Sequence, residues 1–444
     1  MEIRKKQIKI GMITLGCSKN QVDAELMLAL IVEGGWQVVG DPDQADVVIV
    51  NTCGFIEAAK QESIETILEF CQKKAEGQTR LVVVTGCLAE RYREELAQEI
   101  PEADVVLGIG RNSDIVAAIR QALAGQRVVA FGEKEALSGE GERILTNAPY
   151  FAYLKVAEGC DNRCSYCAIP LIRGGFRSRP MENILEEARR LASRGVVELN
   201  LVAQDTSRYG IDIYKEYKLP ELIREVCKID GIQWVRILYC YPEHITDQLM
   251  ETMAAEPKVV KYIDIPVQHA SGKVLREMNR KGDRASILAL CQKLREKIPG
   301  VVLRTTLIAG FPGETEADFE ELCNLVTQGR FERLGCFAYS QEEDTPAGER
   351  EDQIDETLRR RRAELIMELQ MQVAFDFARQ CQGRTLPVLV EEAKPGKAVG
   401  RSPMDAPDID TRVYFDTKGT LKPGQLVQVE ITGSREYDLL GQQL

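Results

Sequence analysis

Apolar residues in the first part of the chain form short continuous runs, separated by segments with helical spacing. Between the runs, apolar side chains recur at helical intervals, as at Val22, Leu26 and Leu30. Runs without polar interruptions are typical of strands that are buried on both faces. Strands that alternate with helices predict a parallel sheet with right-handed crossovers. The predicted strands lie at residues 8–15, 46–50, 81–85 and 104–107.

The same alternation continues through the middle of the chain and gives six more strand candidates. Six successive strand–helix units predict an incomplete barrel related to the eight-unit (β/α) form, with chemistry at the carboxyl ends of the strands. A long helical stretch at 355–379 follows this segment. The strand candidates lie at residues 152–156, 197–202, 234–238, 262–266, 302–308 and 334–338.

The last part of the chain, residues 383–444, has short alternating runs separated by glycine and proline, which predict a small antiparallel β-barrel. Residues 125–147 are rich in Gly, Glu and Ser, which is typical of a solvated linker. The predicted fold class is therefore α/β, with a parallel α/β domain, a partial (β/α)6 barrel and an antiparallel C-terminal barrel. The predicted boundaries are 8–124 for the first domain, 125–147 for the linker, 148–378 for the partial barrel with its trailing helix, and 379–444 for the C-terminal barrel.

Composition narrows the location and the partners of the protein. The 444 residues carry a formal net charge of −12, which favours a basic partner over a general affinity for phosphate backbones. No stretch approaches the roughly 20 apolar residues of a membrane span, and the charged start lacks an apolar signal region. We therefore expect a cytoplasmic protein without a membrane partner. Its thirteen cysteines are then thiols or metal ligands rather than disulfides.

Three cysteines, Cys160, Cys164 and Cys167, stand in one short loop with the sequence Cys-Asp-Asn-Arg-Cys-Ser-Tyr-Cys. Thiolates at this spacing bind one metal centre, but three ligands leave one position of a zinc tetrahedron or a four-iron cube open. The two histidines, His244 and His269, are far away in sequence. An open position on the metal favours a catalytic metal site. The alternative interpretation of this loop is a zinc site or a set of buried thiols.

Three further cysteines, Cys17, Cys53 and Cys87, end three of the predicted strands of the first domain. Since the carboxyl ends of parallel strands lie on one edge, where ligands of such folds bind, we expect these thiols to meet at one point. The alternative is three small apolar residues that cap strands, because unliganded cysteine is often buried. The other cysteines show no such pattern and are interpreted as core or surface thiols: Cys71, Cys227, Cys240, Cys291, Cys323, Cys336 and Cys381.

The cysteine loop, with an aromatic residue before its third cysteine, resembles the cluster loop of the radical S-adenosylmethionine (SAM) enzymes. With the strand-end cysteines before it and the small barrel after it, nearly the whole chain resembles the methylthiotransferase family, whose terminal barrel is of the TRAM type. The segments that carry this resemblance are 15–25, 158–167, 204–207, 400–402 and 405–407.

The resemblance implies two 4Fe-4S clusters and SAM as cofactors. One cluster keeps an iron free to chelate and cleave SAM, and an auxiliary cluster gives sulfur a place to bind. The implied ligands are Cys160, Cys164 and Cys167 for the SAM cluster, and Cys17, Cys53 and Cys87 for the auxiliary cluster.

Four other residues are candidates for contacts to SAM. The resemblance places Tyr166 beside the nucleoside. Gln204 and Gln268 follow predicted barrel strands, where they hold SAM by hydrogen bonds or are satisfied loop amides. Gly310 permits either a close approach of the backbone to the nucleoside or simply a tight turn.

The reaction implied by the resemblance is insertion of a methylthio group at the β-carbon of an aspartate in ribosomal protein uS12, with two SAM consumed. The implied partners are uS12 or the small ribosomal subunit, an electron donor such as flavodoxin or ferredoxin, and a sulfur donor. The alternative within the family is a tRNA isopentenyladenosine methylthiotransferase, for which we expect a basic terminal barrel. The acidic balance of this chain favours a cationic protein target. An alternative of another class is an iron-sulfur electron carrier or a zinc-stabilised RNA-binding module.

Overall fold

The computed structural model describes residues 7–134 and 140–444, and its chain forms two compact units. The first unit contains the described residues of Met1–Thr146 together with Ala157–Arg179 and Ser340–Thr345. The second contains Asn147–Val156, Pro180–Tyr339 and Pro346–Leu444.

The strands and helices are numbered in chain order. The strands are β1 (Lys9–Thr14), β2 (Gln37–Val38), β3 (Val47–Thr52), β4 (Leu81–Gly86), β5 (Val105–Leu107), β6 (Val128–Ala130), β7 (Phe151–Lys155), β8 (Ala157–Glu158), β9 (Arg177–Ser178), β10 (Glu198–Val202), β11 (Trp234–Ile237), β12 (Val259–Asp264), β13 (Val302–Ala309), β14 (Arg333–Ala338), β15 (Thr385–Lys394), β16 (Lys397–Arg401), β17 (Val413–Asp416), β18 (Leu426–Arg435) and β19 (Asp438–Gln443). The helices are α1 (Ser18–Glu33), α2 (Glu57–Ala75), α3 (Cys87–Glu99), α4 (Ile115–Leu123), α5 (Ile169–Arg173), α6 (Met181–Ser193), α7 (Leu219–Cys227), α8 (Asp247–Ala255), α9 (Gly272–Glu277), α10 (Arg284–Lys297), α11 (Glu316–Gly329) and α12 (Glu356–Gln380).

The first unit is built on a parallel sheet with strand order β2-β1-β3-β4-β5-β6. Helices α1 and α4 cover one face, and α2 and α3 cover the other. Because both faces are covered, β3 and β4 are buried along their whole length, which explains their uninterrupted apolar runs. From β1 the chain passes to β2, which pairs with one side of β1. It then crosses to β3, which pairs with the other side of β1, and continues in that direction to β6. This reversal of strand order opens a crevice at the carboxyl ends of β1 and β3.

Two strands of this sheet were not predicted from the sequence. Strand β2 has two residues, and β6 lies inside the segment 125–147 that composition assigns to a linker. Val128 and Ala130 of β6 pack against the apolar cluster between the sheet and α1 and α4, so this part of the segment is an edge strand and not a solvated linker. Residues 135–139 of the predicted linker lie outside the described residues.

The second unit contains six parallel strands in sequential order, β7-β10-β11-β12-β13-β14, with β7 and β14 at the two edges. All six carboxyl ends therefore lie on one edge, as the predicted partial barrel requires. The last five strands close into a barrel in the order β15-β16-β17-β19-β18. Its pairs are antiparallel except β17–β19, which is parallel. The predicted α/β fold class is confirmed.

Buried ion pairs join the closed barrel to the amino-terminal ends of the parallel strands. Glu198, the first residue of β10, accepts hydrogen bonds from Arg401 at 2.6 Å and from Arg236 at 3.1 Å. Asp405, which follows β16, accepts from Arg333 of β14 at 2.6 Å. The barrel therefore packs at the edge opposite to the carboxyl ends, where contacts serve stability rather than chemistry. Within residues 7–134 and 140–444, no helix is long and apolar enough to cross a membrane.

Candidate metal centre at the strand ends of the first unit

The three strand-end cysteines lie at the carboxyl edge of the first sheet. Cys17 is the N-cap of α1 after β1, Cys53 directly follows β3, and Cys87 begins α3 directly after β4. Strands β1, β3 and β4 are neighbours in the sheet, and β1 and β3 flank the reversal of strand order. The topology therefore brings the three thiols to the crevice where ligands of such sheets bind.

Each of these cysteines has a glycine beside it in sequence, and each glycine lets two of the loops touch. A Cβ on Gly16 would lie 2.7 Å from Cys53 Sγ, and a Cβ on Gly54 would lie 2.8 Å from the backbone of Leu88. A Cβ on Gly86 would lie 2.5 Å from the carbonyl oxygen of Thr52. Real Cβ atoms do not approach other atoms so closely, so only glycine allows the three loops to pack together.

Side-chain hydrogen bonds fix the same loops to one another. The Asn20 amide donates to the carbonyl oxygens of Leu15 at 2.8 Å and Thr52 at 3.2 Å. The backbone N–H of Cys53 donates to Ser63 Oγ at 3.0 Å, and that hydroxyl donates back to the Cys53 carbonyl. The positions of Cys17 and Cys53 are therefore held by buried polar contacts and not only by the glycines.

The three thiols influence one another electrostatically, because they lie close together. Burial, with the neighbouring Cys87 as the next cause, raises the pKa of Cys53 to about 12. Burial also raises the pKa of Cys87, against the opposing charge of Arg173. Cys17 is exposed, yet the protein atoms around its thiol still oppose ionisation by desolvation; Lys19, Arg173 and backbone N–H donors outweigh this effect and lower the pKa of Cys17. A metal cluster would supply the positive charge that three converging thiolates require.

Arg173 lies beside this trio and was not singled out in the sequence. Its guanidinium is buried and donates to Cys87 Sγ at 3.4 Å. It also donates to Asp23 at 2.7 Å and to Glu158 at 3.1 Å. In the sequence, Arg173 is a single cation after the apolar run 169–172. This pattern is too weak to predict that Arg173 pairs with residues far away in sequence.

The loop with Cys160, Cys164 and Cys167 belongs to the same compact unit. The ribbon of β8 and β9 closes its base, and the N–H of Cys160 donates to the carbonyl of Gly174 at 3.1 Å. The N–H of Cys167 donates to the Cys164 carbonyl at 3.0 Å, which makes a turn between these two ligand positions. All three thiols are half-buried, as is Tyr166.

The three other candidate SAM contacts lie in the second unit, each after a parallel strand. Gln204 follows β10, Gln268 follows β12 and Gly310 directly follows β13. The backbone of Gln268 has a φ of +70° and bonds to Thr306 and Ile308 of β13, so it lies near the end of that strand with Gly310. Gly310 has a φ of +78°, which favours glycine. Their contact with SAM stays a prediction.

Both histidines are bonded to buried carboxylates in the second unit. His244 Nδ1 lies 2.8 Å from Asp205. His269 Nδ1 accepts from the N–H of Ser271 at 3.0 Å, so its Nε2 carries the proton and donates to Glu314 at 3.1 Å. Glu314 also accepts from the N–H of Gly310 at 2.8 Å. His269 is therefore a loop hydrogen-bonding residue, and it supports the turn at Gly310.

The surroundings of Cys17, Cys53 and Cys87 fit an iron-sulfur cluster. Among the described residues, Ser18 Oγ and Asn51 Oδ1 are buried without a hydrogen-bond partner. Ser18 follows Cys17 at the start of α1, and Asn51 lies in β3 two residues before Cys53. In the described ranges, no three His, Cys, Asp or Glu side chains are arranged as ligands of a single metal ion. A cube of four irons is wider than one ion and takes thiolates that stand farther apart. All thirteen cysteines are free thiols.

Gly16→Ala is expected to lower the iron content of the strand-end trio, because the new Cβ would displace Cys53 Sγ. The matched control is Gly35→Ala, which has the same φ of +89° but no atom within 4 Å of the new Cβ. Both variants should lose about 1–2 kcal/mol of stability from backbone strain. Iron and sulfide assays, made in a background with Cys160, Cys164 and Cys167 changed to alanine, should show a loss for Gly16→Ala only. Equal iron in both variants would contradict the packing argument.

Three known families match successive segments of the chain. They are the Uncharacterized protein family UPF0004 over residues 9–108, the Radical SAM superfamily over residues 154–326, and the TRAM domain over residues 383–444.

Curated relatives match almost the whole chain. The ribosomal protein uS12 methylthiotransferase RimO of Desulfitobacterium hafniense (strain Y51) is 49% identical over 437 residues, which is 98% of each chain. The protein of the same name from Lachnoclostridium phytofermentans is 47% identical over 437 residues, which is 98% of this chain and 99% of that one.

Solved structures share the fold at low sequence identity. The radical SAM methyltransferase TsrM from Kitasatospora setae has a TM-score of 0.55 and 13% identity, over 91% of this chain and 80% of its own. The cobalamin-dependent SAM radical enzyme OxsB has a TM-score of 0.52 and 11% identity, over 82% of this chain and 56% of its own. At these identities the likeness shows the fold alone.

Proposed function

The chain belongs to the RimO family of radical SAM methylthiotransferases, and from this premise we propose that it inserts a methylthio group at the β-carbon of an aspartate in ribosomal protein uS12. The observation that carries the proposal is the convergence of Cys17, Cys53 and Cys87. Their three loops touch through glycines in the compact unit that also contains the second cysteine trio.

Each cysteine trio would hold one of the two clusters. Cys160, Cys164 and Cys167 would hold the 4Fe-4S cluster that binds SAM, and Cys17, Cys53 and Cys87 would hold an auxiliary 4Fe-4S cluster. When bound, one cluster would supply the electron for reductive cleavage of one SAM, and the other would supply a site for the sulfur that a second SAM methylates. Three protein ligands would leave one iron open at each site.

The burial of the strand-end thiols indicates the direction of approach. Cys53 and Cys87 are buried, whereas Cys17 is exposed, so the trio opens on the side of Cys17. The sulfur and the aspartate side chain would reach the site from this side. The buried walls behind Cys53 and Cys87 exclude water, which protects a reactive carbon centre from side reactions.

The charge of the chain supports a protein substrate rather than tRNA. The net charge is −12, and in the C-terminal barrel Lys and Arg do not outnumber Asp and Glu. One of those arginines, Arg401, is buried between Glu198 and Glu391 and is therefore withdrawn from any binding surface. Ribosomal proteins are basic partners that such a surface attracts. An electron donor such as flavodoxin or ferredoxin and a sulfur donor would act with the enzyme in the cytoplasm.

Mass spectrometry of uS12 and of tRNA from cells without the gene tests the substrate. We expect the methylthio group to be lost from the uS12 aspartate, retained on tRNA, and restored by the wild-type gene. A gene with Cys164→Ala serves as the control, because it should not restore the modification. Loss from tRNA with uS12 unchanged would contradict the proposal and favour the isopentenyladenosine activity.

A further inference from the structure

The guanidinium of Arg173 connects helix α1, the second cysteine loop and the strand-end thiols. Its Nη1 donates to Asp23 at 2.7 Å and to Glu158 at 3.1 Å. Its Nη2 donates to the Asn20 side chain at 3.3 Å and to Cys87 Sγ at 3.4 Å. We propose that Arg173 is a positioning residue of the auxiliary cluster: its hydrogen bond orients Cys87 as a ligand and raises the reduction potential of that cluster. This inference rests on the proposed assignment of the cluster to Cys17, Cys53 and Cys87.

The contacts of Arg173 leave the guanidinium little freedom to move. Its side chain is 2% exposed, and those of Asp23 and Glu158 are 1% and 4% exposed. Two carboxylates hold one nitrogen, so the planar fork directs the other nitrogen toward Asn20 and Cys87. A lysine ammonium in the same place would carry the charge but has no rigid fork.

The effect on the cluster comes from the directed N–H and not from net charge. The guanidinium and its two carboxylates together carry one negative charge, which by itself would disfavour a reduced cluster. Hydrogen bonds to the ligand sulfur disperse the charge that reduction adds, and they are among the factors that set the potentials of iron-sulfur clusters. Because Arg173 and Cys87 are both buried, water competes little for this bond.

The same short helix also supplies apolar packing to the trio. Helix α5 ends at Arg173, and its Ile172 packs with Ala168 against Cys87. The segment that follows Cys167 therefore contacts Cys87 by an apolar side chain and a hydrogen bond together. Changing only the donor of this bond should separate its electronic effect from the packing.

The experiment uses the full chain with Cys160, Cys164 and Cys167 changed to alanine, so that only the auxiliary cluster gives an EPR signal. The cluster is reconstituted anaerobically and titrated with reductant while its EPR signal is followed. Arg173→Gln is expected to shift the midpoint potential to a lower value and to change the EPR line shape. Arg173→Lys, which keeps the charge but has no rigid fork, should also shift the potential to a lower value. Loss of iron from both folded Arg173 variants would equally support the positioning role.

Arg143→Gln is the matched control. Arg143 is buried and pairs with Glu25 on the same helix α1, so its loss removes a comparable ion pair. It should lower thermal stability and leave the potential unchanged. Unchanged potential and line shape in both Arg173 variants, with native circular dichroism, would overturn the inference and leave the proposed function standing. A background variant that binds no cluster at all would overturn the auxiliary site itself and this inference with it.

Discussion

Cys53→Ala is expected to abolish methylthio transfer while reductive cleavage of SAM continues, whereas Cys164→Ala is expected to abolish both. Cys53 lies among the strand-end thiols, where the sulfur would be held, and Cys164 lies in the loop that would hold the SAM cluster. Loss of one ligand from a trio removes a third of its thiolates, and the remaining two cannot retain the cluster. Chromatography of 5′-deoxyadenosine measures cleavage, and mass spectrometry of uS12 measures transfer.

Cys71→Ala provides the control for loss of a thiol in the same unit. Cys71 is buried in the apolar cluster beneath α2, away from both trios, and its thiol has a pKa raised to about 11, chiefly by burial. Both activities should persist in this variant. Full transfer by Cys53→Ala would remove Cys53 from the auxiliary site, and SAM cleavage by Cys164→Ala would remove Cys164 from the SAM site.

The sequence predicted the meeting of the strand-end cysteines because a parallel sheet places all its carboxyl ends on one edge. The continuous apolar runs around β1, β3 and β4, with helical spacing between them, sufficed for this inference. The order of the strands in the sheet did not have to be known. The glycines beside Cys17, Cys53 and Cys87 were visible in the sequence too. Their role became apparent only from the distance of each missing Cβ to the next loop.

The sequence contains no comparable pattern that predicts the long-range ion pairs. Arg173 and Asp23 are 150 residues apart, and Arg401 and Glu198 are 203 residues apart. A charged residue in the sequence is usually solvated, and no periodicity shows which ones fold inward to a partner. Strand β6 was not predicted for a related reason. Its three residues lie within a glycine- and glutamate-rich segment and are too few to form a recognisable apolar run.

Glu198→Gln is expected to destabilise the second unit by about 3–5 kcal/mol, the usual effect of removing one partner from a buried ion pair. Glu198 is fully buried and accepts from both Arg236 and Arg401. The substitution keeps the shape of the side chain but leaves two guanidinium groups buried without their carboxylate. Arg401 retains Glu391, whereas Arg236 has no second carboxylate among its described partners. Urea unfolding followed by circular dichroism measures the loss.

The pH dependence gives the same prediction a second measurement. Burial alone would raise the pKa of Glu198, but Arg401 and Arg236 outweigh it, and the pKa lies below its ordinary value of 4.5. A carboxyl group with a lowered pKa contributes its full stability above pH 4.5 and loses it as the pH falls through the folded value. Unfolding free energy should therefore fall less steeply below pH 4.5 in Glu198→Gln than in the wild type. Glu391→Gln is the control, since Arg401 keeps Glu198 and the cost should be smaller. Equal stability of the wild type and Glu198→Gln at neutral pH would show that this buried network does not hold the barrel to the sheet.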